Sequence, residues 1–209
     1  MASTYILTLS CPDQPGIVHG VSGLLFQHGA NIEEVAQYND QQTGLFFMRV
    51  QFACGQVSME QLDAALQELA AVWTMTVELH RADQRMPVVI MVSQQGHCLN
   101  DLLFRCKSGL LPVDIKAIVS NHRDFYQLAA SYNIPFHQKL IGATAHYVTA
   151  DLDEGPIIEQ DVARVDHSRT VDDLTALGRD TESQVLARAV KWHSERRVLL
   201  NGHKTVIFK

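Results

Sequence analysis

The sequence predicts an α/β chain: a ferredoxin-like βαββαβ unit over residues 1–82, then an incomplete doubly wound, mostly parallel sheet over residues 88–209. Three observations carry this. Segments of alternating apolar and polar residues flank a polar hairpin loop near residue 40. Ser58-Met59-Glu60-Gln61 has the form of a capping box opening a second helix. Val88-Val89-Ile90-Met91-Val92 is a continuous apolar run, as expected of a strand buried on both faces.

In chain order, Thr4 to Ser10 alternates and reads as a half-buried strand. Cys11-Pro12-Asp13-Gln14-Pro15-Gly16 follows, a loop by its prolines and glycine. Ile17, Val21, Leu24, Leu25 and His28 then keep helical spacing, with Gly29 as the stop. Asn31 to Tyr38 and Leu45 to Phe52 read as strands joined by a loop ending in Gly44. The helix opened by Ser58 carries Leu62, Ala65, Leu66, Leu69 and Val72 on its apolar stripe, and Met75 to Leu79 closes the unit.

A polar stretch ending in Pro87 places a linker at residues 83–87. After the apolar strand, the glycine turn at Gly96 leads into a helix with Leu99, Leu102, Leu103 and Cys106 on one side. Val113 to Ser120 is the next strand, Asp124 is placed to cap a short helix carrying Phe125, Leu128 and Ala129, and Ile134 to His137 begins a third strand. Lys139 to Val148 is strand-like again, directly after His137 and Gln138. A parallel crossover needs a dozen or more residues, and Gln138-Lys139 lacks the chemistry of a tight hairpin turn. A break in the expected topology therefore falls between residues 137 and 139. Thr170-Val171-Asp172-Asp173 is a capping-box variant opening a helix to about Glu195, with Leu174, Leu177, Val185, Leu186 and Val190 as its core stripe.

Composition narrows the function classes. Seventeen Lys and Arg against 23 Asp and Glu give a net charge of −6, the opposite of a nucleic-acid footprint. No apolar run approaches the ~20 residues of a membrane span, and no basic-then-apolar leader opens the sequence. Cys11, Cys54, Cys98 and Cys106 show no C-x-x-C spacing, and the ten histidines form no H-E-x-x-H or H-x-x-x-H pair. The expectation is a cytoplasmic protein with reduced thiols and no metal site.

Asp13-Gln14-Pro15-Gly16, with Gly29-Ala30-Asn31-Ile32, resembles the effector loop of ACT domains, which bind small amino acids between paired copies. The resemblance implies effector contacts at Asp13, Gln14, Pro15, Gly16, Asn31 and Ile32, and a homo-oligomer. A physical basis exists, because a glycine lets backbone N–H groups at a helix start approach a carboxylate. The alternative is that Asp13 caps the helix and Pro15 sets its first turn.

SCPDQPG (10–16), GHCLNDLL (96–103), VSNHRDF (119–125) and GATAHYVTADLDEGPIIEQ (142–160) resemble the formyltetrahydrofolate deformylase family, an ACT domain fused to a formyltransferase-type domain. The resemblance implies hydrolysis of 10-formyltetrahydrofolate to tetrahydrofolate and formate, with folate as substrate and no cofactor. It implies Asp153 as the catalytic carboxylate, with His146, Asp151 and Gly155 as substrate contacts; His97 and Asn100 sit at the mouth of the first parallel strand, where ligands of open α/β sheets collect, and are placed to touch the substrate as well. By residue type alone, Asp153 reads equally as a turn aspartate, His146 as a packed strand histidine, and Asn100 as a capping residue. The family's oxyanion-stabilising Asn and proton-shuttling His lie on an Asn-x-His stretch before a Leu-Pro turn, which this sequence lacks. Two functions are thus expected: the hydrolase, or an inactive dimeric ACT-type module that binds amino acids.

Overall fold

The computed structural model describes residues 2–120, 122–138, 155–163 and 170–209. They form two compact units: Met1–Gln84 with Arg196–Asn201 and Val206–Lys209, and Arg85–Glu195 with Gly202–Thr205.

In the first unit β1 (Ser3–Pro12), α1 (Ile17–Gln27), β2 (Asn31–Asp40), β3 (Leu45–Cys54), α2 (Met59–Trp73) and β4 (Thr76–Arg81) follow the ferredoxin-like order. The antiparallel sheet runs β2-β3-β1-β4, with Leu7 opposite both Val50 and Leu79. Its helical face holds the core of Leu7, Leu9, Val50, Phe52, Ile17, Val21, Leu25, Leu62 and Leu66. The Ser58–Gln61 capping box forms as the residues dictate: Ser58 accepts from the Gln61 N–H, and Gln61 accepts from the Ser58 N–H. The buried stripe of α2 is Leu62, Leu66 and Ala70. Val72, expected on it, is 73% exposed, because the i, i+4 progression carries the core face on to Trp73, which packs against the cluster.

β1 differs from the half-buried strand expected. Tyr5, Leu7 and Leu9 face the helices, yet Ile6 and Thr8 on the opposite face are buried too. The chain end explains part of this second buried face. β8 (Val198–Asn201) and β9 (Lys204–Ile207) form a two-stranded sheet that the sequence patterns did not show. Val206 and Phe208 pack on Phe47, with Leu199, Leu45 and Ala36 at the margin. Residues 196–201 and 206–209, expected in the second domain, therefore belong to the first unit. Each large apolar side chain so buried contributes about 1.5–3 kcal/mol.

The second unit contains β5 (Met86–Val92), α3 (His97–Lys107), β6 (Val113–Ser120), α4 (Tyr126–Ser131), β7 (Phe136–Gln138) and α5 (Val171–Ser194). Its three described strands are parallel in the order β5-β6-β7, with Val92 beside Ser120 and Ser120 beside Gln138. Leu99, Leu102 and Leu103 of α3, Ile118 of β6, Ala129 of α4 and Ala187 of α5 form one core. β5 starts inside the expected linker, at Met86. Its apolar run is not buried on both faces: Val88, Ile90 and Val92 join the core while Val89 and Met91 are 56% and 48% exposed. The described helices pack on one side of β5. Asp124 is not the cap of α4; Phe125 occupies that position without a side-chain hydrogen bond. Thr170 and Asp173 close the capping box of α5, but Leu174, expected in its core stripe, is 42% exposed. The strand expected at Lys139 to Val148 lies outside the described residues.

Candidate functional site

Two groups of sequence-predicted residues fall in the two units. In the first, the loop between β1 and α1 is exposed from Asp13 to Gly16. Gly16 sits at φ 97°, a left-handed conformation that glycine adopts without strain, and it is the N-cap of α1 with no side-chain cap. Asp13 does not cap this helix. Its carboxylate accepts from Asn39 Nδ2, and its N–H donates to the Gly44 carbonyl at 2.8 Å. The loop is thus tied to the β2–β3 turn, and α1 has no side-chain cap among the described residues.

Asn31 and Ile32, exposed at the start of β2, lie at the other end of that strand. Asn31 pairs with Ala53 and Asp40 with Leu45, and nine residues of strand span roughly 30 Å. Within one chain, then, Asn31 and Ile32 do not meet the Asp13–Gly16 loop.

In the second unit, His97 and Asn100 sit at the start of α3, past the C-terminal end of β5. Ligands of open α/β sheets collect at that end. Gly96 is required by close approach: a Cβ there would lie 2.3 Å from the Phe125 ring. Asn100 is exposed and donates from Nδ2 to the Gly96 carbonyl at 2.8 Å. His97 Nε2 is 2.8 Å from Glu182 Oε2 of α5, while its Nδ1 is buried with no hydrogen-bond partner among the described residues. Burial pushes the neighbouring Cys98 thiol up, and the charges of Glu182 and Asp101 add to this. His97, Cys98 and Glu182 form a cluster of potential metal ligands among the described residues. Spacing motifs could not show it, since His97 and Glu182 are 85 positions apart.

Asp153, His146 and Asp151 lie outside the described residues. Gly155, just after them, is half-buried and followed by a buried Pro156. The sequence patterns missed what anchors this segment. Arg188 of α5 donates from Nε to Glu159 at 2.9 Å and from Nη2 to Asp161 at 2.7 Å. The Arg188 guanidinium holds the Asp161 carboxyl below the usual carboxylate range, aided by the Val162 N–H. Thr205 Oγ1 adds a 2.6 Å bond to the Ile157 carbonyl. The signal was a D/E pair on one side and a helical arginine on the other, separated by too much chain to be paired by pattern.

All four cysteines are free thiols, and no described helix is long and apolar enough to cross a membrane.

Comparison with known proteins joins the two units. An ACT domain family model matches residues 5–71 and a formyl transferase model matches residues 137–190. The formyltetrahydrofolate deformylase of Bacillus subtilis is 36% identical, with 97% of this chain and 93% of that protein covered. Its alignment runs over 278 positions against a chain of 209 residues, so at least 69 of them carry no residue of this chain. The crystal structure of a formyltetrahydrofolate deformylase from Pseudomonas putida superposes with a TM-score of 0.92 at 33% identity, covering 98% of this chain and 100% of that one. Another from Burkholderia mallei gives 0.92 at 34%, covering 99% and 100%. With an ACT unit, a parallel-sheet unit and this likeness along nearly its whole length, the chain belongs to the formyltetrahydrofolate deformylase family.

Proposed function

We propose that this chain hydrolyses 10-formyltetrahydrofolate to tetrahydrofolate and formate. The single observation that carries this reading is its 36% identity to a formyltetrahydrofolate deformylase across 93% of that relative's length. In the reaction water attacks the formyl carbon, a tetrahedral oxyanion forms, and the carbon–nitrogen bond breaks as the folate nitrogen takes a proton. Asp153 holds the attacking water and receives its proton, the general-base role open to a carboxylate in hydrogen-bond reach. His146, Asp151, Gly155, His97 and Asn100 are the residues assigned to the folate. Arg188 ties Glu159 and Asp161, in the segment after Gly155, to α5.

The ACT unit binds a small amino acid between two copies. β2 is an edge strand of its sheet. Two copies paired antiparallel through this edge bring Asn31 and Ile32 of one beside the Asp13–Gly16 loop of the other, closing the ~30 Å gap that separates them within a chain. The free N–H groups above Gly16 then receive the effector carboxylate. Free thiols support a cytoplasmic setting.

A second reading is favoured by one observation, the 69 or more alignment positions without a residue here. The expected break between residues 137 and 139 falls where the family's Asn and His belong. Without them oxyanion stabilisation fails, and the chain acts as a dimeric amino-acid-binding module. Formate release from 10-formyltetrahydrofolate, assayed beside calorimetric titration with glycine, separates the readings. Turnover supports the hydrolase; glycine binding without turnover supports the module.

A further inference from the structure

We propose that His97, Cys98 and Glu182 bind a transition-metal dication of the Zn2+ or Co2+ type, bridging the N-terminus of α3 to α5. Their ligand atoms all lie within 4.8 Å of one another, and His97 Nε2 and Glu182 Oε2 are 2.8 Å apart. Bonds of about 2.0–2.3 Å around a tetrahedral zinc separate neighbouring ligands by roughly 3.3–3.7 Å. The cluster reaches that geometry with side-chain movements of about an ångström. Glu182 is free to make them, its side chain being 68% exposed.

The charges around the thiol point the same way, since Glu182 and Asp101 both act on Cys98. That negative field opposes a free thiolate but attracts a cation.

The donor set selects the metal. One imidazole nitrogen, one thiolate sulfur and one carboxylate oxygen form a mixed N/S/O set that suits zinc-type ions. Magnesium and calcium need oxygen ligands throughout. Three protein ligands leave a fourth position for solvent, the open arrangement of zinc sites that do chemistry. Binding is a ligand exchange without oxidation: the metal–sulfur bond forms, and the Cys98 S–H proton passes to solvent. The imidazole enters neutral and the carboxylate already ionised.

The test is titration of the chelator-treated full chain with Co2+, followed by the near-ultraviolet thiolate-to-cobalt charge-transfer band. The expected result is one equivalent bound with the band present, the band lost in Cys98→Ser, and Cys106→Ser unchanged. Glu182→Gln, at an exposed position on α5, is expected to weaken binding at least roughly tenfold, since even outer-shell changes cost that much. Affinity is expected to rise about tenfold per pH unit below the thiol pKa, as one proton leaves on binding. Absence of the band, its survival in Cys98→Ser, or unchanged affinity in Glu182→Gln overturns the site. Should Cys98→Ser fail to fold, the exposed Glu182→Gln decides alone.

Discussion

Arg197 grips Glu34 with both ends of its guanidinium, Nη1 at 2.9 Å from Oε1 and Nη2 at 3.2 Å from Oε2. A bidentate fork of this kind gives geometric definition as well as energy. Arg49, whose side chain is 2% exposed, donates to the same carboxylate at 3.1 Å. Glu34 thus compensates a buried cation on β3 and holds the chain end against the ACT sheet, where Asn201 also donates to buried Asp40 at 2.7 Å.

Replacing Glu34 by Gln is therefore expected to destabilise the first unit by about 1–2 kcal/mol. That is below the ~3–5 kcal/mol of a fully buried broken pair, because Glu34 is 39% exposed and solvent screens it. The Arg197 hydrogen bond and then the Arg49 charge hold the Glu34 carboxyl below its ordinary value. Its contribution is complete above the unfolded glutamate value of about 4.3 and is lost as pH falls through the lower folded value. Urea midpoints from pH 3 to pH 7 (spanning roughly that window) check this: the parent loses stability on the acid side more steeply than Glu34→Gln.

Phe208→Ala removes the side chain that packs on Phe47 with Val206. At 6% exposure the expected loss is about 3–5 kcal/mol, read from denaturant unfolding of the first unit.

Much of this first unit was legible. Alternation, one hairpin loop and a capping box specify β1 to β4 and both helices, because these are local signals. The C-terminal hairpin was not, because its four-residue strands carry little pattern and their partners Phe47, Glu34 and Asp40 are over 150 positions away. The second sheet was readable as far as β7 for the same local reasons. Its site was legible only as separate motifs: GHCLN gave His97 and Asn100 but not Glu182, and the DEGP loop gave Gly155 but not Arg188. Side chains that meet through tertiary packing leave no short-range spacing to read.

Gly96→Ala places a methyl 2.3 Å from the Phe125 ring. Overpacking of this kind costs about 1–3 kcal/mol. It also moves the start of α3, so Co2+ affinity at His97 and Cys98 is expected to fall together with the unfolding midpoint.

Gly16→Ala forces a Cβ into a φ of 97°, at a cost of about 1–2 kcal/mol. The N–H groups above it would turn from the effector. Calorimetry is expected to show glycine binding to the parent and at least tenfold weaker binding to the variant, roughly the 1.4 kcal/mol that makes a decade.

The most direct measurement is formate release from 10-formyltetrahydrofolate by the purified protein. The account expects formate and tetrahydrofolate in equal amounts, with turnover reduced about 10²–10⁴-fold in Asp153→Asn. No formate, or full turnover in Asp153→Asn, contradicts it.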